Sequence, residues 1–184
     1  MAGVVAGDSA GGEDEADGIA VGAQLHIFDM KKGNGMYTNP GPGELFRSMY
    51  NNGDGAKIAN GSWSTKYRAY PTSCRMYDDE LYEDYQDVVF VASAGNYGRN
   101  PKLNVSQMRT VGNPAGCKNT LAVGASQSEG KRIGTKELGM DYLALFSSRG
   151  PTADGKSNCA TIVMMLLILP KEGTYLTKSN LVLA

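Results

Sequence analysis

Two stretches of this chain, Val88 to Ala92 (VVFVA) and Leu121 to Ala125 (LAVGA), contain no polar side chain at all. A strand with one wet face alternates apolar and polar residues, because successive side chains point to opposite faces. A continuous apolar run therefore asks for cover on both faces, the condition of a central strand in a parallel sheet. The segments around these runs supply the rest of such a sheet. Ala20 to Met30 (AVGAQLHIFDM) and Lys57 to Ser62 read as further strands. Gly43 to Asn52 reads as a short helix with Leu45, Phe46, Met49 and Tyr50 on one side. Tyr77, Leu81 and Tyr85 recur every four residues, with Asp78, Asp79, Glu80, Glu83 and Asp84 between them, predicting an amphipathic helix with a solvated acidic face. Strands alternating with helices give an α/β class, mainly a parallel sheet with helices on both faces.

At 184 residues the chain is long enough for one sizeable core. Its 18 Lys and Arg against 19 Asp and Glu leave a net charge of −1, so no overall field attracts phosphate backbones, and nucleic acid is excluded as a partner. The longest apolar run, Ile162 to Leu169, falls far short of the roughly 18 residues of a membrane span. No basic segment precedes an apolar stretch near Met1, so a secretory signal is not visible. The 3 cysteines, Cys74, Cys117 and Cys159, are too few for a disulfide scaffold and lack zinc-site spacing, which leaves room for one disulfide and one odd thiol. No metal site is read from the residues. Beyond Gly155 the periodicity fades, dividing the chain into residues 1–155 and a divergent tail, 156–184.

Gly7-Asp8-Ser9-Ala10-Gly11 matches the G-x-S-x-G of a nucleophile elbow. An elbow needs a strand before the serine and a helix after it, but an acidic loop follows Gly12, so Ser9 is set aside as a nucleophile. The single histidine, His26, shares a strand face with Gln24 and Phe28 and reads as structural. Gly95 and Gly98 lack the first glycine pair of a dinucleotide fingerprint. Asn60-Gly61-Ser62 and Asn104-Val105-Ser106 both fit the N-glycosylation pattern, and only the second falls in an expected loop. In open α/β sheets, ligands bind beyond the carboxyl ends of the strands. Asn96, in the Ser93-Ala94-Gly95-Asn96 loop after VVFVA, stands there, where a carboxamide N–H can donate to a developing oxyanion.

Taken in order, Met1 to Gly7 (MAGVVAG), Gly18 to Met30 (GIAVGAQLHIFDM), Ile58 to Ser64 (IANGSWS), Val88 to Gly98 (VVFVASAGNYG), Val111 to Ser126 (VGNPAGCKNTLAVGAS) and Phe146 to Gly155 (FSSRGPTADG) resemble the subtilisin-like serine proteases, the subtilases. The order of the segments carries the resemblance, which covers Met1 to Gly155. It implies an incomplete subtilisin-like α/β fold and a serine-type endopeptidase with an Asp, His and Ser triad acting on polypeptide substrates. The family's His-Gly-Thr-His stretch directly precedes the Val-Ala-Gly that Met1-Ala2-Gly3 resembles, its acid lies further upstream, and its Gly-Thr-Ser nucleophile segment has no counterpart after Gly155. The expectation is a fragment of a catalytic domain, truncated at both ends and inactive alone, or alternatively a pseudoprotease that binds peptides without cleaving them.

The resemblance assigns Asn96 to the oxyanion hole and Ala94 and Gly95 to a wall of the pocket for the residue before the scissile bond. Ser62, Trp63 and Ser64 match the segment that pairs with substrate backbone, with Ser64 standing where the family usually has glycine. Cys74 and Cys117 fall in segments where related eukaryotic members also carry cysteines, implying a disulfide and a secreted or extracellular setting. No cofactor is implied beyond the structural calcium that family members can hold.

Overall fold

The computed structural model describes residues 2–8, 17–31, 33, 36, 38, 40–52, 55–66, 69–127 and 142–155, together with the backbone of two further strands at 162–164 and 180–183. In chain order the elements are α1 (Ala2–Ala6), β1 (Gln24–Ile27), α2 (Pro42–Asn52), β2 (Ile58–Gly61), α3 (Thr72–Glu83), β3 (Val89–Ser93), β4 (Arg99–Asn100), β5 (Val105–Ser106), β6 (Thr120–Ala125), β7 (Ile162–Met164) and β8 (Asn180–Leu183). Six strands form one sheet in the order β1-β8-β2-β3-β6-β7, with every pairing parallel. β4 and β5 make a separate antiparallel hairpin. Both strands of the tail, read from sequence as lacking a clear period, join the main sheet.

The two longer helices follow from one spacing. In α2 the buried residues are Pro42, Leu45, Phe46 and Met49, and in α3 they are Cys74, Tyr77, Asp78 and Leu81. Each set steps by i, i+3, i+4 and i+7, which draws one stripe down a helix of 3.6 residues per turn. β1, β2 and β3 advance across the sheet in one direction, so right-handed crossovers carry α2 and α3 to the same face. There Phe46 meets Tyr77 and Phe90 edge-on, at ring-centre distances of 6.1 and 5.6 Å, and Tyr77 stacks on Phe90 at 5.3 Å. Ala59, Phe90 and Thr120 lie side by side in register, as do Gly61, Ala92 and Ala122, and all six are buried. Small residues flanking Phe90 leave room for its ring. The intervening positions, Ile58, Asn60, Val91, Leu121 and Val123, are half-buried.

α3 begins five residues before the expected Tyr77, with Pro71 at its N-cap in extended conformation. Asp78, expected on a solvated acidic face, is instead buried. Its carboxylate accepts hydrogen bonds from the backbone N–H groups of Lys118 (3.0 Å) and Asn119 (2.7 Å) and from the Tyr70 hydroxyl (2.5 Å). A buried carboxylate so satisfied pins the turn before β6 to α3. Cys74 and Cys117, both fully buried, form a disulfide between the same two elements.

Candidate functional site

β2 and β3 are hydrogen-bonded neighbours, so their carboxyl ends emerge together, bringing Ser62-Trp63-Ser64 beside Ala94-Gly95-Asn96. Gly95 shows how close they come. A Cβ built on it would lie 2.8 Å from Ser64 Oγ and 3.0 Å from Ser148 Oγ, and its φ of +107° already favours glycine. Ser64 and Gly95 are therefore in close approach. Asn96 follows at the exposed surface, where its carboxamide makes no hydrogen bond to any described residue.

Main-chain bonds hold this loop in place. Ala94 donates to Val123 O (2.8 Å) and accepts from Gly112 N (2.9 Å), Gly95 O accepts from Ser148 N (2.9 Å), and Gly98 donates to Phe146 O (2.9 Å). The Ser148 hydroxyl accepts from Tyr97 N at 3.1 Å. Asn96 thus projects from a segment anchored on both sides. Trp63 turns inward and packs on Phe90 at 6.0 Å, with its indole N–H buried and without a described partner.

The 146–150 segment, matched within FSSRGP but assigned no site role, fastens the loop from behind. The Arg149 guanidinium donates to four carbonyl oxygens, those of Gly98 (3.3 Å), Leu145 (3.1 Å), Ser147 (3.0 Å) and Ala144 (3.2 Å). Thr110 and Arg149 exchange two further bonds, Thr110 N to Arg149 O (2.9 Å) and Arg149 N to Thr110 Oγ1 (2.9 Å). A planar five-donor group suits this task, and only the contact geometry reveals it.

Among the described residues, groups for proton transfer are not assembled at this place. His26 lies on β1 with Nε2 3.4 Å from Ser48 Oγ on α2, and no carboxylate among the described residues bonds its ring. Ser9, set aside as a nucleophile, falls outside the described residues. Among the described residues no three His, Cys, Asp or Glu side chains converge as a candidate metal group. Two phenols, the buried Tyr77 and the partly buried Tyr70, are perturbed. Burial pushes Tyr77 up to about 12, and burial followed by its hydrogen bond to Asp78 pushes Tyr70 to about 12. Both serve the core behind the site.

An all-parallel sheet with its exposed polar loop at the strand ends defines an α/β protein of the strand-end-site class. Residues 1–165 match the Subtilase family, Peptidase_S8, and the chain belongs to that family. Similar solved structures include the psychrophilic subtilisin-like protease Apa1 from the Antarctic psychrotroph Pseudoalteromonas sp. AS-11, at 17% identity and a TM-score of 0.49 over 80% of this chain and 28% of that one. The prenylagaramide maturation protease PagA is similar at 17% identity and a TM-score of 0.43, over 72% of this chain and 53% of that one. The protease domain of PatA gives 23% identity and a TM-score of 0.38, over 62% of this chain and 34% of that one. This chain therefore spans about a quarter to a half of the length of these structures. No curated protein matches it significantly.

Proposed function

We propose that this chain carries the substrate-holding and oxyanion-stabilising part of a subtilisin-like serine endopeptidase, with the Asp, His and Ser of proton transfer and attack not supplied by the described residues. The observation that carries the reading is Asn96, an exposed amide donor on a loop fixed by Val123, Gly112 and Ser148, next to the point where Ser64 closes on Gly95. An extended peptide lying between the ends of β2 and β3 would present its carbonyl to Asn96 and its backbone to Ser62-Trp63-Ser64. Such a donor acts on charge that develops during acyl transfer, and losing one costs about 3 to 4 kcal/mol in a complete site. With no base and nucleophile supplied by the described residues, that stabilisation has no reaction to serve, and the expectation is that the chain alone binds a peptide and leaves it intact. The Cys74–Cys117 disulfide supports an oxidising, secreted setting.

Calorimetric titration with an extended unstructured peptide, alongside a serine-directed fluorophosphonate, tests this reading. Binding without cleavage or labelling is expected, with Ser64→Phe crowding the ends of β2 and β3 and removing the binding. Labelling, or hydrolysis by the purified chain, would overturn the non-catalytic reading; absence of peptide binding would overturn the substrate cleft.

A further inference from the structure

The chain contains two N-glycosylation patterns, Asn60-Gly61-Ser62 and Asn104-Val105-Ser106, and the fold separates them. Asn60 sits in β2, between β8 and β3, and its Nδ2 donates to Ser62 Oγ at 2.7 Å. The amide to be modified and the hydroxyl of its own pattern are thus bonded to each other, and Gly61 between them is buried. A glycan there could not coexist with the paired strand.

Asn104 is the opposite case. It ends the turn joining β4 to β5, with φ of 52°, its N–H bonded to Asn100 O at 2.9 Å, and Asn104, Val105 and Ser106 are all exposed. A second, independent feature surrounds it. Leu103 and Val105 on this small hairpin, and Met108 two residues past its end, leave 69%, 50% and 62% of their surfaces exposed. Three large apolar side chains at one exposed turn are an aggregation liability unless something polar covers them. We infer that Asn104 is an N-glycan acceptor and that its glycan shields Leu103, Val105 and Met108. In the transfer, Nδ2 of Asn104 attacks the anomeric carbon of a lipid-linked oligosaccharide diphosphate. A C–N bond forms as the C–O bond to the diphosphate breaks, the lipid diphosphate departs with the electron pair, and the amide nitrogen gives up one proton. Because Gln107 bonds Gly98 O through its N–H (2.8 Å) and Tyr97 O through Nε2 (2.8 Å), the glycosylated hairpin is tied to the Asn96 loop.

The inference rests on the secretory route proposed above, so the test supplies a heterologous leader, and its failure counts against the acceptor rather than the route. The full chain is expressed in a eukaryotic secretory host, and the folded, disulfide-bonded pool is digested with a peptide:N-glycanase and mapped by mass spectrometry. The parent and Asn60→Gln should each lose a single glycan, with Asn104 converted to Asp. Asn104→Gln and Ser106→Ala, two different lesions of one pattern, should show no shift and should precipitate more readily. A folded parent with unmodified Asn104, or a glycan persisting in Asn104→Gln, overturns the inference.

Discussion

Breaking the Cys74–Cys117 bond should weaken the fold by an amount set by the chain it encloses. The two cysteines are 43 residues apart. In the loop-entropy account, closing a loop of that length removes roughly 13 cal/mol/K from the unfolded chain, or about 4 kcal/mol at 25 °C. With a urea slope of about 2 kcal/mol/M, the unfolding midpoint of the reduced chain should fall by about 2 M. The slope should rise at the same time, since an unfolded chain freed of its cross-link exposes more surface. Cys74→Ala/Cys117→Ala should lose at least as much, because both sulfurs are fully buried and their removal leaves space in the core. The assay is equilibrium urea unfolding followed by tryptophan fluorescence, with Trp63 as the single reporter. A reduced chain whose midpoint stays within about 0.5 M of the oxidised one, at unchanged slope, would refute the reasoning, because the loop would then already be closed in the unfolded state.

Alkaline pH should destabilise the chain through Tyr77 and Tyr70. Unfolded tyrosines ionise near 10 while these two hold their protons to about 12, so above pH 10 the unfolded state binds fewer protons. The contribution is complete below pH 10 and falls by about 1.4 kcal/mol per pH unit for Tyr77 between 10 and 12; Tyr70 contributes less because it is better solvated. Phenolate absorbance titrated with and without denaturant should show these two groups ionising late only in the folded chain. Phe46→Ala should cost about 3 to 5 kcal/mol by emptying the ring cluster with Tyr77 and Phe90, measured as a loss of cooperative unfolding. Gly98→Ala should drive a methyl into the Ser147 carbonyl and shift the backbone resonances of residues 94–98 while leaving those of α2 in place. Arg149→Met should remove four donated bonds, leaving Gly98 O and Ala144 O with only the N–H groups of Gln107 and Ser147, costing about 1.5 to 3 kcal/mol and loosening the Asn96 loop in hydrogen exchange.

The unbroken apolar runs at VVFVA and LAVGA were enough to place β3 and β6 inside a parallel sheet, although only alternate residues are fully buried and Val89 stays half exposed. The i, i+3, i+4, i+7 stripe of α2 was equally plain. The same stripe in α3 was obscured because its third member is Asp78: surrounded by Asp79, Glu80, Glu83 and Asp84, it looked like one more solvated charge. What buries it are two backbone N–H groups forty residues away and the Tyr70 hydroxyl, which no local pattern encodes. Asn96 could be placed at a strand end because a loop after a buried strand is local information. The role of Arg149 was hidden for the opposite reason, since its partners are main-chain carbonyls and carbonyls have no sequence. The tail strands β7 and β8 carry only three and four residues, and pairing with distant strands defines them rather than periodicity.

The disulfide also decides what a cut would release. Residues 74 to 117 include most of α3, all of β3, the Asn96 loop and the exposed β4–β5 hairpin, so a protease nicking that hairpin at Lys102 or Leu103 would open the chain without separating it. The two pieces would stay joined through Cys74 and Cys117, migrating as one species until a reductant is added.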